Sequence, residues 1–158
     1  IPTPNHRTNS GLGREMWTVN PSAKTIHHLD CLKFLGKLFG FSIFTMNYCP
    51  MKLPNFLWKQ ILGIKLKPED LSEIDILAYN SIVKICLNPN ENKEELNNFF
   101  EFAKFSAFLS NGDEVNLIPN GNQISVNENN YKEFINLYLN ARFMEIKEQA
   151  DAISEGIK

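Results

Sequence analysis

This sequence lacks long hydrophobic runs and lacks any excess of positive charge. No stretch approaches the roughly 20 consecutive apolar residues of a membrane span, so we expect no membrane partner. The 16 Lys and Arg residues are balanced by 18 Asp and Glu residues. A nucleic-acid-binding domain usually carries a basic patch, so we expect no nucleic-acid partner either. What is present is ordinary globular composition, with enough length for about one domain core.

Targeting features are also missing from the first residues. Ile1-Pro2-Thr3-Pro4-Asn5-His6 has neither the positive segment nor the apolar core of a signal peptide. An initiator Met is missing as well, from which we expect an excised piece of a longer protein.

Cysteine is scarce and shows no pairing pattern. Cys31, Cys49 and Cys86 are odd in number, far apart, and each has apolar neighbours. Disulfides are rare in reducing compartments. We therefore expect three buried, reduced thiols and localisation to the cytoplasm or the nucleus.

Signatures of internal catalysis are absent too. There is no Gly-x-Ser-x-Gly nucleophile motif, and the lone Gly-x-Gly of residues 10–13 follows no strand. His27 and His28 precede Cys31 by four and three residues, which fits either two metal ligands on one helix face or polar residues at a helix end. A zinc site needs three or four ligands. We expect no metal, no cofactor and no turnover by this chain alone.

The first part of the sequence predicts an extended segment followed by a buried helix. Residues 1–25 are rich in Pro, Asn, Ser and Gly, whereas Leu29–Met46 is apolar on nearly every side. A helix that is apolar all round is typically buried. Gly36 and Gly40 lie four residues apart, on one helix face, where another element can approach closely.

Three shorter helices are expected next. Asn55 to Leu62 predicts a short helix ended by Gly63, and Pro68 is a good helix start. Asp75 can cap a helix from Ile76 to about Leu87.

A polar loop over residues 88–97 is predicted to lead into a small antiparallel strand unit. The unit comprises the aromatic-rich segment 99–108 and the alternating segment 114–118. Asn111-Gly112 and Asn120-Gly121 supply turn residues that tolerate positive φ.

The last predicted element is a single amphipathic helix. Apolar residues recur at helical spacing from Tyr131 to Ile153, which corresponds to about 35 Å at 1.5 Å per residue. Gly156 is placed to end this helix. The predicted fold class is therefore α+β, mainly α-helical, with a strand unit inserted before a long final helix.

The helix predicted from Ile76 to Leu87 carries two apolar stripes, where a surface helix needs one. The first stripe is Ile76, Tyr79, Val83 and Cys86. The second is Ala78, Ile82 and Ile85, with Ser81 beside them. Either both stripes are buried, or the second is an exposed patch that marks a partner site.

Read in order, several segments resemble the HECT family. They are residues 34–40 (FLGKLFG), residues 53–75 ending in a Leu-x-Asp-Leu-x-x-x-Asp-like pattern, residues 116–121 (NLIPNG) and residues 132–138 (KEFINLY). Residues 58–60 (WKQ) are closest to the large HERC-type members.

The resemblance implies part of the N-terminal lobe of a HECT ubiquitin ligase, covering residues 1–158. A small subdomain, about residues 66–140, is expected to dock a ubiquitin-conjugating enzyme charged with ubiquitin, and the remainder forms the large helical subdomain. A cysteine in a second lobe, expected to be absent here, would accept the ubiquitin and pass it to a substrate lysine. None of the three cysteines stands in the family's Thr-Cys-Phe-like motif. Protein substrates are expected to bind through regions outside this chain.

Carried over from the family, the conjugating-enzyme-binding groove falls on six residues, with Phe134 as the expected anchor. They are Ala78, Ser81, Ile82, Ile85, Phe134 and Tyr138. Two alternatives remain open. One is a non-catalytic HECT-like scaffold or protein-interaction module, and the other is a structural helical domain in which the second stripe is core.

Overall fold

The fold is mainly helical, and a computed structural model describes it over residues 1–158. The α-helices are α1 (Pro4–Thr8), α2 (Ile26–Phe44), α3 (Asn55–Ile61), α4 (Ile76–Ala78), α5 (Lys84–Leu87), α6 (Lys93–Phe102), α7 (Tyr131–Met144) and α8 (Lys147–Ile157). The strands β1 (Ser106–Phe108) and β2 (Glu114–Asn116) pair antiparallel, with Ala107 opposite Val115. Short 3-10 turns span Pro68–Glu73 and Gly121–Gln123. The predicted α+β, mainly helical class is confirmed, and none of the helices has the length and apolar content needed to cross a bilayer.

Helices α2 and α8 pack with their backbones in close contact. A Cβ at Gly36 would collide with the carbonyl of Ile153, and a Cβ at Gly156 would collide with the carbonyl of Lys33. A Cβ at Gly40 would lie 2.9 Å from the carbonyl oxygen of Ile157. The predicted close approach at Gly36 and Gly40 is thus confirmed, and α8 is the element that makes it.

The prediction that α2 is buried on all sides is wrong for this chain. Only Gly36 and Phe39 are buried, whereas Phe34, Phe41 and Phe44 are 60%, 65% and 86% exposed. The reason is that α2 has neighbours along one side, where α8 packs and where Phe39 meets Trp58 of α3 with ring centroids 5.2 Å apart.

The first residues are also more structured than predicted. Helix α1 starts with Pro4 at its first position, and the Thr3 side chain accepts a hydrogen bond from the His6 N–H, as helix capping requires. Asn5 is buried: its Nδ2 donates to the Ser72 carbonyl over 2.9 Å, and its Oδ1 accepts from the Ile76 N–H over 2.7 Å. This segment is therefore fastened to the start of the helical stretch 76–87.

The middle helices follow the predictions closely. Helix α3 ends one residue earlier than predicted, and Gly63 adopts a φ of +68° just beyond it. The Asp75 side chain caps the next helix by accepting from the Ala78 N–H over 3.0 Å. That helix, called helix 76–87 below, is α4 and α5 joined by a π-helical segment, Tyr79–Val83.

The predicted polar loop is too long at its C-terminal end. Helix α6 begins at Lys93, and β1 covers only Ser106–Phe108 of the aromatic-rich segment. Leu96 is buried, and Phe99 and Phe100 are half-buried. Leu96, Phe99 and Phe100 are spaced by three and four residues, as on a helix face that packs against a core. Because this apolar face is buried, the helix forms even though residues 93–95 are charged.

The predicted single C-terminal helix is two helices. Helices α7 and α8 are separated at Glu145 and Ile146, both of them buried. The Glu145 carboxylate turns inward to accept hydrogen bonds from the backbone N–H and the hydroxyl of Ser110. Gly156 lies inside α8 and serves the contact with α2, so its predicted role as a helix terminator is wrong.

The prediction of three buried thiols holds for one of them. Cys86 is buried in helix 76–87, whereas Cys31 and Cys49 are exposed. Cys31 lies on the open side of α2, and Cys49 lies in the irregular segment after it. Cys31 and Cys49 have apolar neighbours in sequence, but in the folded chain no apolar residues cover them.

Candidate functional site

An open cleft lies between helix 76–87 on one side and the α6–β1 segment on the other, with α7 below. Its volume is about 400 Å³. The lining is mostly apolar and includes Leu77, Ala78, Ile82, Phe99, Phe102, Ala103, Ala107, Phe108, Phe134 and Tyr138. Polar lining residues are Asp75, Ser81, Lys104, Ser106, Glu114 and Arg142. This is the apolar surface with a few polar groups that binding sites usually show.

Five of the six residues predicted for the groove surround this cleft. They are Ala78, Ser81, Ile82, Phe134 and Tyr138. Ile85 does not line the cleft and is 8% exposed, so the structure places it in the core. The docking role of the six residues stays a prediction.

Phe134 and Tyr138 form the floor of the cleft, and each is only 2% exposed. Phe134 packs against Phe99, Phe105 and Tyr138, each with ring centroids 5.7 Å away. A side chain enclosed in this way supports the shape of the cleft and offers a partner little surface. The expected role of Phe134 as the docking anchor stays a prediction, which its burial does not favour.

The exposed apolar surface lies on the rim of the cleft. Leu77, Phe102 and Phe108 line it and are 52%, 80% and 61% exposed. These three residues, called the rim below, are missing from the sequence-based site. The alternation of a buried Ala107 and an exposed Phe108 follows the two-residue period of a strand, but the predicted unit started at residue 99 and did not separate β1 from α6.

The wall of the cleft formed by helix 76–87 contains the π-helical segment. Within it, Ser81 is exposed and its hydroxyl donates to the Leu77 carbonyl over 2.8 Å. The segment widens the helix between Tyr79 and Val83. Such π-bulges occur frequently at functional sites, and this one lies along the cleft.

A buried charge network centred on Arg142, which is 1% exposed, adjoins the floor of the cleft. Its Nη1 donates to Asp75 Oδ2 over 3.0 Å and to the Tyr138 hydroxyl over 3.3 Å. Its Nε donates to Glu145 Oε2 over 3.3 Å. The Ser110 N–H donates to the same Glu145 oxygen over 3.1 Å. Burial of charge without partners is costly, and here each charge has them.

The pKa values in this network shift for identifiable reasons. Burial alone would lower the pKa of Arg142, but the negative charges of Glu145 and Asp75 outweigh it, and the net pKa is raised. Burial raises the pKa of Glu145, against the lowering effect of Arg142 and of the Ser110 hydrogen bonds. Burial also raises the pKa of Tyr138. Tyr138 is therefore a neutral hydroxyl and Arg142 a permanent cation.

The residues considered as metal ligands do not form a centre. Cys31 Sγ lies 3.8 Å from His27 Nε2, on one face of α2, and both residues are exposed. Nowhere in residues 1–158 do three His, Cys, Asp or Glu side chains converge on a point that could hold a metal ion.

Comparison with known proteins decides the family. The family model described as "HECT-domain (ubiquitin-transferase)" matches residues 6–158, nearly the whole chain. The chain belongs to the HECT family. It is 31% identical over 159 residues to proteins named "E3 ubiquitin-protein ligase HERC2" from Mus musculus and from Homo sapiens. These matches cover 99% of this chain and 3% of each relative.

The comparison confirms the family resemblance and its HERC-type character.

One cysteine of this HECT chain, Cys86, is buried. Burial raises the pKa of the Cys86 thiol to about 12, whereas a reactive cysteine needs a lowered pKa and access to its reactant. Cys86 is therefore a structural residue of the HECT core.

Proposed function

We propose that this HECT chain docks a ubiquitin-conjugating enzyme in the cleft between helix 76–87 and the α6–β1 segment. One observation carries the proposal: a chain of the ubiquitin-transferase family has an open apolar cleft whose rim of Leu77, Phe102 and Phe108 is exposed. Exposed apolar patches on soluble domains commonly mark partner sites.

The chemistry served by docking is acyl transfer between sulfur atoms. The conjugating enzyme carries ubiquitin as a thioester, and a cysteine thiolate in another part of the ligase attacks the thioester carbonyl carbon. A new sulfur–carbon bond forms, and the thiolate of the conjugating enzyme leaves. A substrate lysine amine then attacks the second thioester, which forms an isopeptide bond and releases the ligase cysteine. Splitting the transfer in two is the usual gain of covalent catalysis, and this chain contributes by holding the donor near the acceptor.

The contact should be weak and reversible, because the conjugating enzyme must leave to be recharged. Weak, transient contacts bury small interfaces, below about 1,200 Å² in total. We expect a dissociation constant around micromolar or weaker. Within such an interface, a few exposed aromatic side chains contribute most of the affinity, and Phe102 and Phe108 are placed to be those residues.

The test is a calorimetric or NMR titration of the 158-residue chain with a panel of ubiquitin-conjugating enzymes. We expect saturable binding by at least one of them. Phe102→Ala should weaken that binding roughly tenfold or more, as expected for an interface hot spot. The matched control is Phe44→Ala, which removes an 86% exposed phenylalanine of α2 outside the cleft and should leave the affinity unchanged.

Two results would contradict the proposal. If the folded chain bound no conjugating enzyme, the scaffold interpretation would replace it. If Phe44→Ala weakened binding and Phe102→Ala did not, the docking surface would be α2 and not the cleft.

A further inference from the structure

The guanidinium of Arg142 touches all three parts of the molecule that enclose the cleft. Its contact with Asp75 reaches helix 76–87, and its contact with the Tyr138 hydroxyl reaches the floor. Through Glu145 and Ser110 it reaches the β1–β2 hairpin. No other side chain in the chain bridges these three elements by hydrogen bonds.

The contact with Asp75 acts on the start of the wall helix. One carboxylate oxygen of Asp75 accepts from Arg142 while the other caps the helix at the Ala78 N–H. A carboxylate held at both oxygens has one orientation, so Arg142 helps to hold the start of helix 76–87, beside Asn5, which accepts from the Ile76 N–H. Ala78 is itself a lining residue of the cleft.

The contact with Glu145 acts on the opposite wall. The Glu145 carboxylate accepts hydrogen bonds from the Ser110 backbone N–H and hydroxyl. Ser110 follows the last residue of β1 by two positions. The Arg142 Nη2 also lies 3.5 Å from the Ser110 hydroxyl oxygen. Ser110, two residues after Phe108 of the rim, is thus held by the same buried charge, and Arg7 Nη2 also donates to its carbonyl over 2.6 Å.

We infer that Arg142 is a positioning residue, which sets the width of the cleft by tying helix 76–87, the Tyr138 ring and the β1–β2 hairpin to one rigid planar group. This inference rests on the proposed docking function. Arginine suits the role because its planar fork donates in several fixed directions, whereas lysine is a point charge on a flexible stem. Buried ion pairs contribute little net stability and can serve to specify one arrangement.

The main test compares Arg142→Lys with wild type in titrations with the conjugating enzyme that binds most tightly. Lysine keeps the charge and loses the fork. Part of the binding free energy must then restore the shape of the cleft, so the dissociation constant should rise roughly tenfold. Tyr138→Phe removes one acceptor and keeps the ring, and its effect should be non-additive with that of Arg142→Lys.

The matched control is Gln149→Leu. Gln149 is as buried as Arg142, but its amide donates to the carbonyls of Asn20, Pro21 and Ala23, and none of these residues lines the cleft. Measured at a temperature where every variant is fully folded, Gln149→Leu should bind as wild type does. A purely structural role for Arg142 would leave the affinity of folded Arg142→Lys unchanged too, and that result would overturn the inference.

A second measurement needs no partner. In methyl NMR spectra, Arg142→Lys should shift or broaden the Ile82 and Ala107 resonances, which report on the two cleft walls, and should leave that of Ile153 against α2 in place. Unmoved cleft methyls would overturn the inference whatever the titrations show. A wild-type chain that binds no conjugating enzyme, with cleft methyls that do move, would instead contradict the docking function and leave the geometric role of Arg142 standing.

Discussion

Gly36 of α2 lies directly against the backbone carbonyl of Ile153 in α8. This contact sets the separation of α2 and α8. For the substitution Gly36→Ala, the contact and helix propensity predict opposite effects on stability. By helix propensity alone, Gly36→Ala would stabilise the protein by about 1 kcal/mol. Because the added methyl group has no space beside a rigid backbone, we expect a loss of about 2 kcal/mol or more.

Urea unfolding followed by circular dichroism would measure this difference. The control is Lys37→Ala on the exposed side of the same helix, which should change the free energy of unfolding by no more than about 0.5 kcal/mol. A stabilised Gly36→Ala variant would show that the α2–α8 contact is looser than the structure has it.

Phe134 should prove to be a stability residue. Its ring is 2% exposed and packed among three aromatic rings, so Phe134→Ala should cost about 3–5 kcal/mol of unfolding free energy. Phe102→Ala removes the same side chain from an 80% exposed position and should cost no more than about 0.5 kcal/mol. Chemical denaturation of the two variants side by side separates the roles, and similar costs would refute the division into floor and rim.

Asn5 should stabilise the start of helix 76–87 from far away in sequence. Asn5→Ala leaves the Ile76 N–H without its acceptor and the Ser72 carbonyl without a donor. An unsatisfied buried group costs about 1–3 kcal/mol. Native-state hydrogen exchange should show faster exchange of the Ile76 amide proton, while Asn98→Ala on the exposed face of α6 should leave it unchanged. Equal exchange rates in all three proteins would argue that α1 does not fasten this helix.

Thiol reactivity should divide the cysteines two to one. Cys31 and Cys49 are exposed, whereas burial raises the pKa of Cys86 to about 12, and only the thiolate reacts. An aromatic disulfide reagent near neutral pH should modify two equivalents quickly and the third only on unfolding. Cys31→Ser and Cys49→Ser should each remove one fast equivalent. A fast third equivalent in the native protein would mean that helix 76–87 opens readily.

The predictions that succeeded rest on local signals. Asp75 was recognisable as a helix cap because its partner, the Ala78 N–H, lies three residues away in sequence. Gly36 was recognisable as a point of close approach because a glycine inside a helix is unfavourable without such a contact. The order of the short motifs along the chain, from residues 34–40 to residues 132–138, was also enough to identify the HECT family.

The errors concern contacts between segments distant in sequence. The helical period of Tyr131 to Ile153 continues across the break at Glu145, because α7 and α8 face the same core. At the break, Glu145 pairs with Ser110 and Arg142, and Ser110 is 35 residues away in sequence.

For the cleft, the sequence by itself determined which residue types were available and which helix carried a second apolar stripe. Only the tertiary structure decided that Ile85 and Phe134 are enclosed while Phe102 and Phe108 are open to solvent. Helix periodicity and capping depend on neighbours within about four residues along the chain. Burial depends on which distant segments cover a side chain. Phe134 and Phe102 have the same side chain, and they differ in burial because distant segments cover Phe134 and leave Phe102 open to solvent.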